Sequence, residues 1–305
     1  IDLPFDYETD LPLSPASGVT VAEPPYSLLQ TPDDDHMPCL VLPGIKLPGM
    51  GMNHCCLISR NSESIPKNMT RISSLFSYLA ALRMIAPAYI ATAGHFQFGG
   101  IDNPFKEPTL LSLHTRWQPD PSHRYSAADI MRAGQLHDRI GEHVTMGPTR
   151  LRNALLLFTQ VTNGYSLSYQ MSILGLYSAL ESLFVPSRGD GNYAQTLGKR
   201  VELFLSNYSR GVDLCGRIAK HYKDERHPLS HGYWQLSPSQ DIAKKRQDDF
   251  GILHEALRLS LLGFLSMDKR RLSFLEKNGR ALGHALDTLA PAQGSYLTGQ
   301  KMWLT

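Results

Sequence analysis

Cysteine is scarce, and what there is falls into no ligand pattern. Four cysteines in 305 residues exclude a disulfide-stapled framework in a chain of this length. Cys55 and Cys56 are adjacent while Cys39 and Cys215 stand alone. Without a Cys-x2-Cys pair, no zinc site is expected. Long apolar runs are also missing. None reaches the roughly 18 residues of a membrane span, so no membrane association is expected. The N-terminal IDLPFDYETDLPLSP is acidic and lacks the apolar core of a signal peptide, which makes a cytoplasmic protein the expectation. Gly49 and Gly51 are followed by no Gly-Lys-[Ser/Thr], which excludes a phosphate-binding P-loop. The Leu-Pro-Gly repeats at 42–44 and 47–49 read as turns.

What is present is the composition of a globular protein, with 42% hydrophobic and 19% charged residues, which excludes global disorder. Charge is unevenly placed. Residues 1–148 carry 10 Lys+Arg against 15 Asp+Glu, a net −5, while residues 149–305 carry 20 against 13, a net +7. A polyanionic partner belongs with the second half.

Periodicity divides the chain at the same place. Ile72, Leu75, Phe76, Leu79 and Leu82 recur at three and four, predicting a helix over 69–86 that Pro87 stops. HCCLIS at 54–59 predicts a short strand, and AYIATAGHFQF and PTLLSLHTRW predict a strand pair around the turn GGIDNP. Ser126 and Asp129 form a capping box opening a helix to about Val144, with Gly147-Pro148 as its stop. Beyond lies almost continuous helix: 149–163, 165–185, 193–207, 212–225, 239–267 and 270–289. The segment 165–185, with Ile173, Leu176, Leu180, Leu183 and Phe184, is apolar on most sides and belongs at the centre of its bundle. The expectation is a mainly α protein: an N-terminal α+β domain over 1–148, a C-terminal antiparallel helical bundle over 149–290, and a tail over 291–305.

One stretch stands out chemically. Residues 222–234 read YKDERHPLSHGYW. Arg226 carries a permanent charge and His231 can exchange protons, a pair suited to chemistry on a phosphate. On a straight helix residues five apart point about 140° away from each other, at about 100° per residue. Pro228 lacks a backbone donor and pushes His227 away from helical dihedrals, so a kink or break at 227–228 is expected, which would bring Arg226 and His231 together; otherwise each arginine would serve the histidine of a second copy, and a dimer is expected as well.

Three features fall in order along the bundle: LYSALESLF, with Glu181 the one acid of a greasy helix; LGKRVELF, with Arg200; and the Arg-x4-His-Gly signature of 226–232. This ordered set, over about residues 150–268, resembles the Apea-like branch of the HEPN superfamily (higher eukaryotes and prokaryotes nucleotide-binding domains). The resemblance implies a HEPN-like bundle acting as a metal-independent endoribonuclease, with two Arg-x4-6-His motifs facing one another across the cleft of a homodimer. Arg226 and His231 would be the catalytic pair, His227 the polar residue after the arginine, and Glu181 and Arg200 supporting residues. RNA would be the partner, no cofactor or metal would be required, and the setting would be antiviral defence or a toxin. Tyr233 completes Arg-x4-His-x-Tyr, a spacing at which toxin–antitoxin members carry a tyrosine modified by a partner nucleotidyltransferase. An antitoxin or regulatory partner is therefore also implied.

The chemistry has its own logic. RNA carries its nucleophile, the 2′-OH. Cleavage needs that hydroxyl deprotonated, charge on phosphorus stabilised and the 5′-oxygen protonated. Imidazole performs either proton transfer, and a guanidinium fork suits the non-bridging oxygens. The products would be 2′,3′-cyclic phosphate and 5′-OH ends. Plainer readings stand beside this one. In one, Glu181 only neutralises a buried arginine, Arg200 or Arg226. In another, Arg226 complements a helix dipole before Gly232, and the motif then belongs to a non-catalytic scaffold that binds nucleic acid or nucleotide, or dimerises. His221 and Tyr222 read as packing, and KKR (244–246) and KRR (269–271) as solvated faces.

Overall fold

A computed structural model describes residues 71–85, 125–145, 149–162, 168–185, 192–207, 213–232, 239–267 and 269–288, plus the backbone of short strands before residue 111. The protein is mainly α. It divides into two compact units: Ile1–Thr145 with Thr162–Ser166, and Met146–Val161 with Leu167–Thr305. The Leu-Pro-Gly repeats, Gly147-Pro148, Tyr233 and the 291–305 tail lie outside the described residues.

In the first unit, α1 (Arg71–Ile85) packs on α2 (Ala127–Thr145). Tyr78 donates to the Ile130 carbonyl at 3.0 Å and Tyr125 to the Leu82 carbonyl at 3.0 Å, so each buried hydroxyl is satisfied across the seam. The capping box is formed: Asp129 accepts from the Ser126 amide at 3.0 Å, and Ser126 Oγ accepts from the Asp129 amide at 3.2 Å. His137, on α2, lies edge-on to Tyr78, and burial lowers its pKa to about 4. Short strands pair antiparallel here, among them Cys56–Ser59, and Gly94–Gln97 with Thr109–Leu110.

The second unit holds α3 (Arg150–Thr162), α4 (Tyr169–Phe184), α5 (Tyr193–Phe204), α6 (Leu214–His221), α7 (His227–His231), α8 (Gln240–Leu265), α9 (Lys269–Lys277) and α10 (Gly279–Asp287). Thr149 caps α3, and Ser168 Oγ caps α4 by accepting from the Met171 amide at 3.3 Å. All five stripe residues of α4 are buried. Phe184, Phe204 and Phe264 meet with ring centres 4.8–5.8 Å apart, tying α4, α5 and α8 into one core. Burying one such ring contributes about 1.5–3 kcal/mol.

The expected break at 227–228 is replaced by a wider turn. Residues Tyr222–Arg226 form a single π-helical turn between α6 and α7. His227 keeps helical dihedrals, φ −67° and ψ −50°, and donates its N–H five residues back to Tyr222 O. Pro228 has no N–H for the Asp224 carbonyl and its ring crowds that carbonyl. Widening the preceding turn relieves the crowding without interrupting the chain direction. Gly232 ends α7 in the left-handed region, φ 78°, with its N–H on Pro228 O.

Candidate functional site

The π turn is clamped by opposite charges from two helices. Three of its four consecutive ionic residues, Asp224, Glu225 and Arg226, each take a different partner. Asp224 lies 3.8 Å from Lys245 of α8, Glu225 2.8 Å from Arg246 of α8, and Arg226 3.5 Å from Glu181 of α4. The Glu225–Arg246 pair is buried and directional, whereas the Arg226–Glu181 pair is longer than a good hydrogen bond. The buried pair therefore ties the π turn to α8. Arg226 is held from three sides. Its guanidinium lies 5.9 Å over the Tyr222 ring, faces Glu181, and donates to Ser230 Oγ. The Ser230 hydroxyl donates back to the Arg226 carbonyl at 2.7 Å. Tyr222 completes the support: its hydroxyl is pushed up to about 12 by burial and then by the Glu181 carboxylate, to which it hydrogen-bonds.

Arg226 remains 20% exposed and Glu181 28% exposed, so the cation is positioned without being sealed in. His227, Ser230, His231 and Gly232 are exposed, and α7 buries no residue. His231 lies against His227, ring centres 4.4 Å apart and planes at 61°. The structure thus gathers Arg226, Glu181, Tyr222 and Ser230 into one cluster, and His227 with His231 into another one turn further along.

Arg200 belongs to neither cluster. On α5 it is 3% exposed and forks onto Asp287 of α10 at 2.7 and 2.8 Å, while its third nitrogen donates to the Phe184 carbonyl at the end of α4 at 2.7 Å. Arg200 holds Asp287 below the usual carboxylate range, chiefly through that hydrogen bond. Glu181 therefore pairs with Arg226 and not with Arg200.

Sequence reasoning passed over several residues. Arg246 sits in KKR, read as a solvated face, yet it is buried on Glu225, and Tyr169 donates to its carbonyl at 3.1 Å. Its neighbours Lys244 and Lys245 are exposed. Glu225, which nothing in the sequence distinguishes from Asp224, is the buried one. His221 is packing, as its context suggested. It is buried, its Nδ1 lies 2.9 Å from the Tyr177 hydroxyl, and burial lowers its pKa. Tyr222 does more than pack, since it forms the floor under Arg226. The helical spacing of Glu181 and Tyr177 on α4 carried a signal for this, because residues four apart share a face.

Between α6 and α8 runs an open groove of about 410 Å³. Arg217, Lys220, Lys244 and Lys245 line it together with Asp241, Asp248 and Asp249. The charges nearly balance, and Asp249 already accepts from Arg217 at 3.1 Å, so the groove is a poor track for a polyanion. Among the described residues, no three His, Cys, Asp or Glu side chains are grouped to hold a metal ion, and no single helix is long and apolar enough to cross a membrane. No protein-family model, curated protein or solved structure matches this chain.

Proposed function

We propose that the second unit is a metal-independent endoribonuclease that cleaves RNA by 2′-OH attack, with Arg226 and His231 as its catalytic pair. The observation that carries the reading is the unequal treatment of the arginines. Arg226 is braced by Glu181, Tyr222 and Ser230 yet stays partly open, and five residues on an exposed His231 stands on a helix with no buried side chain. A braced guanidinium has lost part of its conformational entropy before a phosphate arrives, so its fork engages non-bridging oxygens at lower cost. Imidazole then deprotonates the 2′-OH or protonates the 5′-oxygen. Arg226 and His231 are five residues apart, and His231 follows on α-helical backbone, so one copy does not aim both groups at a common point. This favours a HEPN-like homodimer in which each arginine serves the histidine of the other copy. The net +7 of residues 149–305 supports RNA as partner. In this reading residues 1–148 form an α+β unit that senses or restrains, in antiviral defence or a toxin system, and Tyr233 is the position a regulatory partner would modify.

Labelled RNA incubated with the full chain in EDTA tests this. The expected products end in 2′,3′-cyclic phosphate, and Arg226→Ala/His231→Ala abolishes them with the fold intact. Equal cutting by the double variant would exclude the pair. The bracing of Arg226 by Glu181 also supports a second reading, a non-catalytic scaffold in which the arginine pins α7 to α4. Tight RNA binding without cleavage would select it.

A further inference from the structure

We propose that His227 and His231 form a two-imidazole chelate for a borderline divalent transition-metal ion of the Zn²⁺, Ni²⁺ or Cu²⁺ class. Residues four apart on a helix share one face, the spacing by which two histidines of a helix reach a common ion. The expectation that no metal is needed came from cysteine spacing and from the reading of the motif as Arg-x4-His, which passes over the His-x3-His within it.

Three observations support the site. First, α7 is helical from His227 to His231, continuing from the π turn and ending with the Gly232 N–H on Pro228 O, so the backbone that sets the bite is already formed. Second, the two rings already lie against one another: their centres are 4.4 Å apart with planes at 61°. A metal–nitrogen bond of about 2.0–2.1 Å puts an ion about 3.2 Å from each ring centre, so two rings share it when their centres are about 4.5 Å apart at a right angle or about 5.2 Å apart at the tetrahedral angle. Small χ rotations close that difference. Third, both side chains are exposed and the ion would keep water in its remaining positions. Imidazole favours zinc, copper and nickel over magnesium and calcium, which prefer oxygen. The adjacent cation, Arg226, opposes metal binding, but Glu181 lies 3.5 Å from it and partly offsets that charge.

The binding claim does not depend on the nuclease reading. Its consequence does: an ion on His231 occupies the lone pair that would take the 2′-OH proton, so zinc would act as a reversible inhibitor of cleavage.

The full chain, His227→Ala, His231→Ala and the double variant are titrated with Ni²⁺ and Zn²⁺ against a chromophoric chelator, with Mg²⁺ as comparison. The expected result is one more ion per chain for the wild type than for the double variant, and at least tenfold weaker binding at that site in each single variant. Mg²⁺ does not compete. Copper-loaded wild-type protein should show coupling to two imidazole nitrogens by electron paramagnetic resonance, a readout that needs no variant to fold. Equal stoichiometry and affinity in wild type and double variant, or a copper signal without imidazole coupling that depends on these residues, overturns the site. If metal binds as described but RNA is never cut, the chelate stands and the nuclease reading fails. If RNA is cut and micromolar Zn²⁺ leaves the rate unchanged, the inhibitory consequence fails.

Discussion

Two arginines of one helical unit meet opposite fates. Arg200 is 3% exposed and spends its fork on Asp287 and the end of α4. Arg226 is 20% exposed and shares its charge with a carboxylate 3.5 Å away, a tyrosine face and a serine. Both lie beside α4, and the carbonyl at the end of α4 decides part of the difference. Arg200 satisfies that terminal carbonyl, a group that no helix supplies with a partner of its own. Arg226 is on a π turn, and its side chain meets a carboxylate, a ring face and a hydroxyl instead of a helix-terminal carbonyl. A guanidinium saturated by the fold stabilises it; one that is oriented but not saturated can still receive a ligand.

This contrast can be broken experimentally, and the largest effect is expected at the open end. In the proposed nuclease reading, His231→Ala should lower RNA cleavage by about 10²–10⁴-fold, the range for losing a general acid–base group. Its melting temperature should stay near wild type, because His231 is exposed. Chemical denaturation reads the next prediction: Arg246→Ala removes one partner of the buried pair with Glu225 and should cost about 3–5 kcal/mol of stability. Arg200→Ala should cost about 2 kcal/mol, the scale of a charged hydrogen bond lost with a carbonyl left over, and should leave the cleavage chemistry of the remaining folded protein unchanged.

Acid sharpens the same comparison. Arg200 lowers the Asp287 pKa below its ordinary 3.8, so the pair's contribution is complete above pH 3.8 and drains as pH falls through the lower folded value. The difference in melting temperature between wild type and Asp287→Asn should therefore shrink below that pH. The smallest effect belongs to Glu181→Gln. A partly exposed pair 3.5 Å apart is worth under about 1 kcal/mol, so stability should hardly move. In the nuclease reading, KM for RNA should change more than the fold does, since the variant unbraces Arg226.

Much of the helical framework was legible from local pattern. The α4 stripe, the Ser126–Asp129 cap and the Gly232 stop each depend on residues within one or two turns of one another, and each is found where its chemistry demands. The site was legible by residue type but not by partner. KKR gave no sign that Arg246 would turn inward while Lys244 and Lys245 stayed in solvent, because that depends on where Glu225 sits across the helix pair. Pro228 signalled a disturbance correctly, yet its form was misjudged. A proline rule foresees the lost donor, but whether the helix breaks or widens depends on the clamps that hold both sides.

By itself, then, the sequence determined what is encoded over short separations: helix stripes, caps, the glycine stop, and an arginine and two histidines within six positions. Only the tertiary structure decided which charges meet. Glu181 could have balanced Arg200 or Arg226 equally well as a carboxylate, and the choice fell to α4 and the π turn because packing places them side by side. Local propensities act over a few bonds, while an ion pair is selected by distances that exist only after the helices have packed.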